Sequence, residues 1–230
     1  MRCVLFAALS MMAAADAAAC VVPSGVPVVV ARVEEGALVL ANGVRLLPGT
    51  IVLRPDATWP ATLEGAFIRY VTEDDAPDRH GRLIAQIFVA RDGGEVWLQA
   101  QLIDDGAALV MPRRGSEACA AELLMRAAAR GNDDVQAADA MGGMIGRYAI
   151  VEGVITRALV LSDGVFLDFG EDWRTDFSVF IARGDMKRFG VMLDQVRALE
   201  GRSVRVRGFV GDRAGPQMRV TSPRALELLP

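Results

Sequence analysis

The sequence predicts a mainly β chain, α+β in detail, built as two OB-fold-type β-barrels in series. Three observations predict it: short aliphatic or β-branched runs between turn residues in both halves, a Gly- and Asp-rich break near the middle, and three strands, a helix and two strands beyond that break. At 230 residues, 52% of them apolar, the chain is long enough for two domains of ordinary size.

The start reads as a signal peptide over residues 1–19. Met1 and Arg2 form a positive n-region, residues 3–15 an apolar h-region, and Ala15-Asp16-Ala17 or Ala17-Ala18-Ala19 a small-residue cleavage site. The alternative, a buried N-terminal helix, lacks an amphipathic face. After Ala19, charges interrupt every apolar run before the roughly 20 residues a spanning helix needs. The expected location is therefore the periplasm or the secreted pool. Cleavage removes Cys3 and leaves Cys20 and Cys119, most simply a disulfide in an oxidising compartment. A lipid anchor on Cys20 is the other reading, although the usual Leu three residues earlier is missing. Without Cys-x-x-Cys, and with His80 alone, Cys/His zinc sites and thioredoxin-like redox chemistry are excluded.

The first domain is expected over 20–131. Strands are predicted at 28–32, 37–40 and 44–47, the last two joined by an Asn42-Gly43 turn of type I′. Strands at 66–71 and 83–90 follow, separated by an acidic turn from Glu73 to Asp78. A helix is predicted from Ser116, its N-cap, to Gly131. Residues 132–146 lack a periodic pattern and read as a linker. The glycines from Gly142 to Gly146 have neither a preceding strand nor a following Lys-Ser/Thr, so they read as a hinge rather than a nucleotide loop. The second domain, 147–230, is predicted to hold strands at 148–158, 165–169 and 176–181, a helix at 185–199, and strands at 203–210 and 217–221.

Charge divides unevenly: residues 18–146 carry a net −6 and residues 147–230 a net +2. Sequence-independent nucleic-acid binding over the whole surface is excluded, so any phosphate contact must be local.

Asp78-Arg79-His80-Gly81-Arg82-Leu83-Ile84-Ala85-Gln86-Ile87-Phe88, together with Val96-Trp97-Leu98-Gln99, Leu102, Gly106 and Ala108, resembles the thermonuclease (staphylococcal nuclease-like, TNase-like) family over roughly residues 28–130. The rest resembles the OB-type extension of some members. The resemblance implies a staphylococcal nuclease-like barrel followed by a helix. It also implies calcium-dependent phosphodiester hydrolysis, with carboxylates on the ion and two arginines on the phosphate. The arginines fall on Arg45 and Arg82. The acids are missing: the family's first-hairpin Asp falls on Gly36 or shifts in register. Its Asp-x-Pro-Glu falls on Thr50-Ile51-Val52-Leu53 or, with one residue inserted, on Ile51-Val52-Leu53-Arg54, neither of which restores an acid. Asp56 and the Glu34-Glu35 pair are the alternative oxygen sources. The stretch between Leu53 and Asp78 is also too short for the family's first long helix.

Each candidate has a structural counterpart. Arg45 and Arg82 either hold a phosphate or pair with carboxylates such as Asp78. His80 is a turn residue, and Trp59, Trp97 and Trp173 are core or rim aromatics. Arg205 and Arg207 alternate with Val204 and Val206, so they share the outer face of one strand, either tracking a phosphate backbone or simply solvated. Residues 170–176, with Trp173, are the best recognition feature of the second barrel. The function expected is that of an exported thermonuclease-like pseudoenzyme that binds an anion, nucleic acid or protein. No cofactor is expected. The alternatives are a weak divalent-metal-dependent nuclease, to which calcium would belong, and a lipid-anchored envelope scaffold.

Overall fold

Period-two alternation builds both halves of the protein, seen in a computed structural model that describes Cys20 and residues 25–34, 36–74, 76–131, 134–190 and 196–230. The expected signal segment, residues 1–19, lies outside the described residues.

In chain order the first half comprises β1 (Val28–Glu34), β2 (Ala37–Leu40), β3 (Arg45–Pro48), β4 (Ile51–Leu53), a 3₁₀ turn at Ala61–Leu63, β5 (Phe67–Thr72), β6 (Arg82–Arg91), β7 (Gly94–Trp97), α1 (Leu98–Asp104), β8 (Ala108–Val110) and α2 (Glu117–Arg130). Antiparallel pairs β1–β2, β2–β3, β1–β5 and β5–β6, closed by a parallel β3–β6 pair, make the sheet ring-like. Inside it pack Val30, Leu38, Leu40, Leu46, Ile68, Ala85, Ile87 and Val89. Leu98, Leu102, Ile103 and Leu123 of the two helices join the same core, and β4 pairs with β8 beside it. Between Leu53 and Asp78 the one helical element among the described residues is the short turn at Ala61–Leu63, ahead of β5.

The β2–β3 turn differs from the expected type I′. Gly43 has φ +85°, whereas Asn42 is not among the positive-φ residues. The Gly43 amide donates to Leu40 O, and the Leu40 amide donates to Val44 O. This is a three-residue loop with left-handed glycine at its end, a geometry that Asn-Gly accommodates equally well. Ser116 precedes α2 as expected, but its hydroxyl bonds Arg113 rather than a helix amide. Gly131, φ +71°, ends the helix.

The second half comprises β9 (Val135–Ala137), a 3₁₀ helix at Ala138–Met144, β10 (Tyr148–Val154), β11 (Arg157–Val160), β12 (Gly164–Asp168), β13 (Ser178–Ala182), α3 (Met186–Phe189), a 3₁₀ helix at Val196–Leu199, β14 (Ser203–Asp212), β15 (Pro216–Arg219) and β16 (Leu226–Leu228). Its ladder runs β11-β12-β13-β15-β14-β10-β9, with a parallel β13–β15 pair. Because β11 follows β10 after two residues, the ladder's course is joined through the chain. The expected single strand at 148–158 is thus broken at Ile155 and Thr156.

Two further expectations are corrected. The 132–146 stretch is not a free linker throughout: β9 pairs in parallel with β10, and Met141 is fully buried in the second core with Val151, Leu167 and Val206. The predicted 185–199 helix is described only as α3 and the 3₁₀ turn at Val196–Leu199, with Gly190 ending α3. Cys20 and Cys119 are joined by a disulfide, Cα–Cα 4.6 Å, which ties residue 20 to α2. That sulfur is therefore not available for a lipid anchor. No helix among the described residues is long and apolar enough to cross a membrane.

Candidate anion site on the first sheet

Leu46 is the register partner of Leu83, and Leu46 packs inside the ring, so the residues preceding each, Arg45 and Arg82, are partners on its outer face. The row continues through Val39, opposite Arg45, to Arg32, opposite Val39. Three arginines thus lie along one cross-strand row over β1, β3 and β6, with a buried valine between the first two.

Their surroundings differ. The Arg82 guanidinium donates from Nε and Nη2 to Asp78 Oδ2 at 2.9 and 2.8 Å. Asp78 Oδ1 accepts from the amides of His80 (2.8 Å) and Arg82 (3.0 Å), so one carboxylate both closes the turn and holds the arginine. These bonds, Arg82's first, keep Asp78 far below the usual carboxylate range. Arg32 pairs with Glu34. That hydrogen bond is the main reason the Glu34 carboxyl sits below its ordinary value, with the charge of Arg45 a smaller contribution. Arg45 makes no ion pair with a described carboxylate, and its Nε is buried without a hydrogen-bond partner. Of the three, Arg45 is the one with no ion pair among the described residues, although the Glu34 carboxylate lies close enough to feel its charge.

The positions where the resemblance expects metal-binding acids hold Gly36, Thr50 and Leu53. Thr50 is fully buried, with φ +63°, and its hydroxyl donates to Glu73 Oε1 at 2.6 Å. Gln86 Nε2 donates to both Thr50 Oγ1 (3.0 Å) and Glu73 Oε1, and Trp97 Nε1 donates to Gln86 Oε1 at 2.9 Å. Burial pushes the Glu73 carboxyl above its ordinary value, partly offset by Thr50, Arg113 and Gln86. A hard divalent cation requires several converging oxygens. Here one hydroxyl is committed to a neighbour, and the other two positions offer no side-chain oxygen. Among the described residues no group of three or more His, Cys, Asp or Glu converges as a metal site. The residues present do not fit calcium.

This Thr50–Glu73–Gln86–Trp97 knot was not foreseen. Glu73 stands at the head of the acidic turn and reads as solvated. Its signal is the glycine at 49, where an added Cβ would lie 1.9 Å from Glu73 Oε1.

On the second sheet, Arg205 and Arg207, read as tracking a phosphate backbone or as a solvated strand face, are engaged in ion pairs. Arg205 donates to Glu152, its register partner on β10, at 2.7 Å and lies 3.5 Å from Glu227 on β16. Arg207 is 5% exposed and lies 3.4 Å from Glu227. Carboxylates of neighbouring strands take up both charges. The structure therefore brings Arg45 and Arg82 together and turns Arg205 and Arg207 into sheet ion pairs. His80 is exposed in its turn, as expected.

No protein-family model matches this sequence, and no curated protein does.

Proposed function

We propose that this chain is an exported, thermonuclease-like protein of two OB-type barrels that binds a phosphate-containing anion through Arg45 and Arg82 and does not hydrolyse it. The observation that carries the reading is Arg45, in no ion pair among the described residues, beside its register partner Arg82, while the expected metal-binding positions carry no free side-chain oxygen. Two guanidinium groups side by side offer forked donors to an anion. Without a cation they attract it but do not activate water.

Topology supports the barrel assignment. Leaving out β4 and β9, and taking β10 and β11 as one bent strand, the first three strands of each half pair in sequence and the third pairs in parallel with the fifth. Export is supported by the Cys20–Cys119 disulfide, a bond characteristic of oxidising compartments, and by the apolar start of the chain. Nucleic acid is the natural macromolecular source of such an anion, with contact confined to this row because the first half is acidic overall.

Calorimetric titration with inorganic phosphate and with a short single-stranded oligonucleotide, in chelator, tests the reading. A charge-assisted hydrogen bond contributes about 1.5–3 kcal/mol, so Arg45→Ala should weaken binding by roughly 10- to 100-fold. Binding unchanged in Arg45→Ala/Arg82→Ala would refute the site.

A further inference from the structure

The second ladder presents a groove of about 380 Å³ on its outer surface. Val165, Leu167, Val179, Ile181 and Met218 fill the core. The intervening positions Phe166, Asp168, Ser178 and Gln217, with Leu159 of β11, therefore form the groove floor. Leu161, Trp173 and Arg213 rise around it from three different connections. The volume is that of a small-molecule site.

Trp173 is 46% exposed and Leu161 52%. The indole is nevertheless held in place. The Asp172 amide donates to Asp176 Oδ2 at 3.0 Å, the Arg174 amide to Asp172 Oδ1 at 3.0 Å, and the Asp176 amide to Asp172 O at 2.9 Å. Gly215, φ +107°, lets the β14–β15 turn close on this loop: a Cβ there would lie 2.9 Å from Arg174 O. The Arg174 guanidinium carbon lies 4.5 Å from the indole centroid and covers one face, leaving the opposite face for a ligand. A braced loop that displays a large aromatic over an apolar floor is a built surface, not a frayed one.

The charges select among ligands. Arg157 is spent on Asp168, to whose Oδ2 it donates at 2.9 and 2.7 Å. Arg213 makes no ion pair with a described carboxylate and is the one uncompensated cation lining the groove. Asp163, Glu171, Asp172, Asp176 and Asp212 stand on the flanking connections and strand end, where they repel a long polyanion.

We propose that this groove binds a small amphiphile, an aromatic or aliphatic body with a single anionic group. The body packs against Trp173, Leu159, Leu161 and Phe166, and the anion meets Arg213.

The test uses the full disulfide-bonded chain with two fluorescent probes of one shape, anionic 8-anilinonaphthalene-1-sulfonate and uncharged N-phenyl-1-naphthylamine, and dodecanoate as competitor. Expected are one saturable site for each probe, displacement by dodecanoate, and at least tenfold weaker binding of both in Trp173→Ala. Arg213→Gln should weaken the sulfonate about tenfold and leave the neutral probe unchanged. Leu161→Asp, at a half-exposed position, provides a second variant for reading the apolar contact if Trp173→Ala fails to fold, and should also weaken both probes. Affinity unchanged in the folded Trp173 or Leu161 variant, or equal effects of Arg213→Gln on both probes, overturns the proposal. Phosphate binding at Arg45 should be the same in all these variants, so failure here is distinguishable from failure of the first-sheet site.

Discussion

Arg45 and Arg82 are direct register partners on adjacent parallel strands, and of the two only Arg82 is held by a described carboxylate, that of Asp78. An anion arriving between them finds Arg45 available but competes with Asp78 for Arg82. Replacing Asp78 by Asn keeps an oxygen for the His80 and Arg82 amides while removing the competing charge. Asp78→Asn should therefore tighten phosphate binding severalfold. Calorimetry checks it, and weaker binding would mean that Asp78 positions Arg82 rather than competing for it.

The same pair has a pH signature. Asp78 is held below its ordinary range in the folded state. Its contribution to stability is therefore present above the unfolded carboxylate value, about 3.9, and is lost as the pH falls through that value and on towards the folded one. Urea unfolding between pH 2 and 6 should show a smaller acid-side loss in Asp78→Asn than in the parent. Identical slopes would remove Asp78 from the account.

Glu73 behaves in the opposite sense. Its folded-state value is raised by burial, so its contribution is fully present below the unfolded value, about 4.3, and is lost as the pH rises through the folded one. Its Oε2 is buried without a partner. Glu73→Gln should raise the melting temperature at pH 7–8, by about 2–4 °C for each kcal/mol recovered in a chain of this size, and flatten the decline that follows as the carboxyl ionises. A melting temperature lowered at every pH would mean that the carboxylate is satisfied where it lies.

Met141 separates a structured connection from a free linker. Because it is fully buried in the second core, Met141→Ala should cost about 2–5 kcal/mol in denaturant unfolding. A change under about 0.5 kcal/mol, ordinary for a surface position, would restore the linker reading.

The Cys20–Cys119 bond closes a separation of 99 residues. Cys119→Ser should therefore lose up to about 4 kcal/mol in the chain-entropy view. Two free thiols in unfolded, unreduced protein would contradict the bond outright.

The inward positions Val204 and Val206 were legible because they alternate with Arg205 and Arg207; Leu38 and Leu40, and Ala85, Ile87 and Val89, follow the same period of two in the core. The parallel β3–β6 closure was not, since alternation carries no information on which distant strands pair. Arg205 and Arg207 were correctly placed on a common strand face. Their partners Glu152 and Glu227 come from strands 53 and 20 residues away, beyond the reach of local reading. Met186, Phe189, Val196 and Leu199 keep helical spacing across Gly190, which led to one long helix, whereas Gly190 ends α3; residues 191–195 lie outside the described residues. Met141 stood alone among glycines and alanines, with no period to betray its burial. The Glu73 carboxylate is enclosed because Gly49 and Thr50 approach it from another part of the chain.

Cleavage of fluorogenic DNA and RNA with calcium, with magnesium and with chelator separates binding from hydrolysis. No turnover is expected in any of the three, with oligonucleotide binding retained in chelator. Turnover that calcium or magnesium supports and chelator abolishes would contradict binding without hydrolysis, and would mean that other oxygens assemble a metal site beside Arg45 and Arg82.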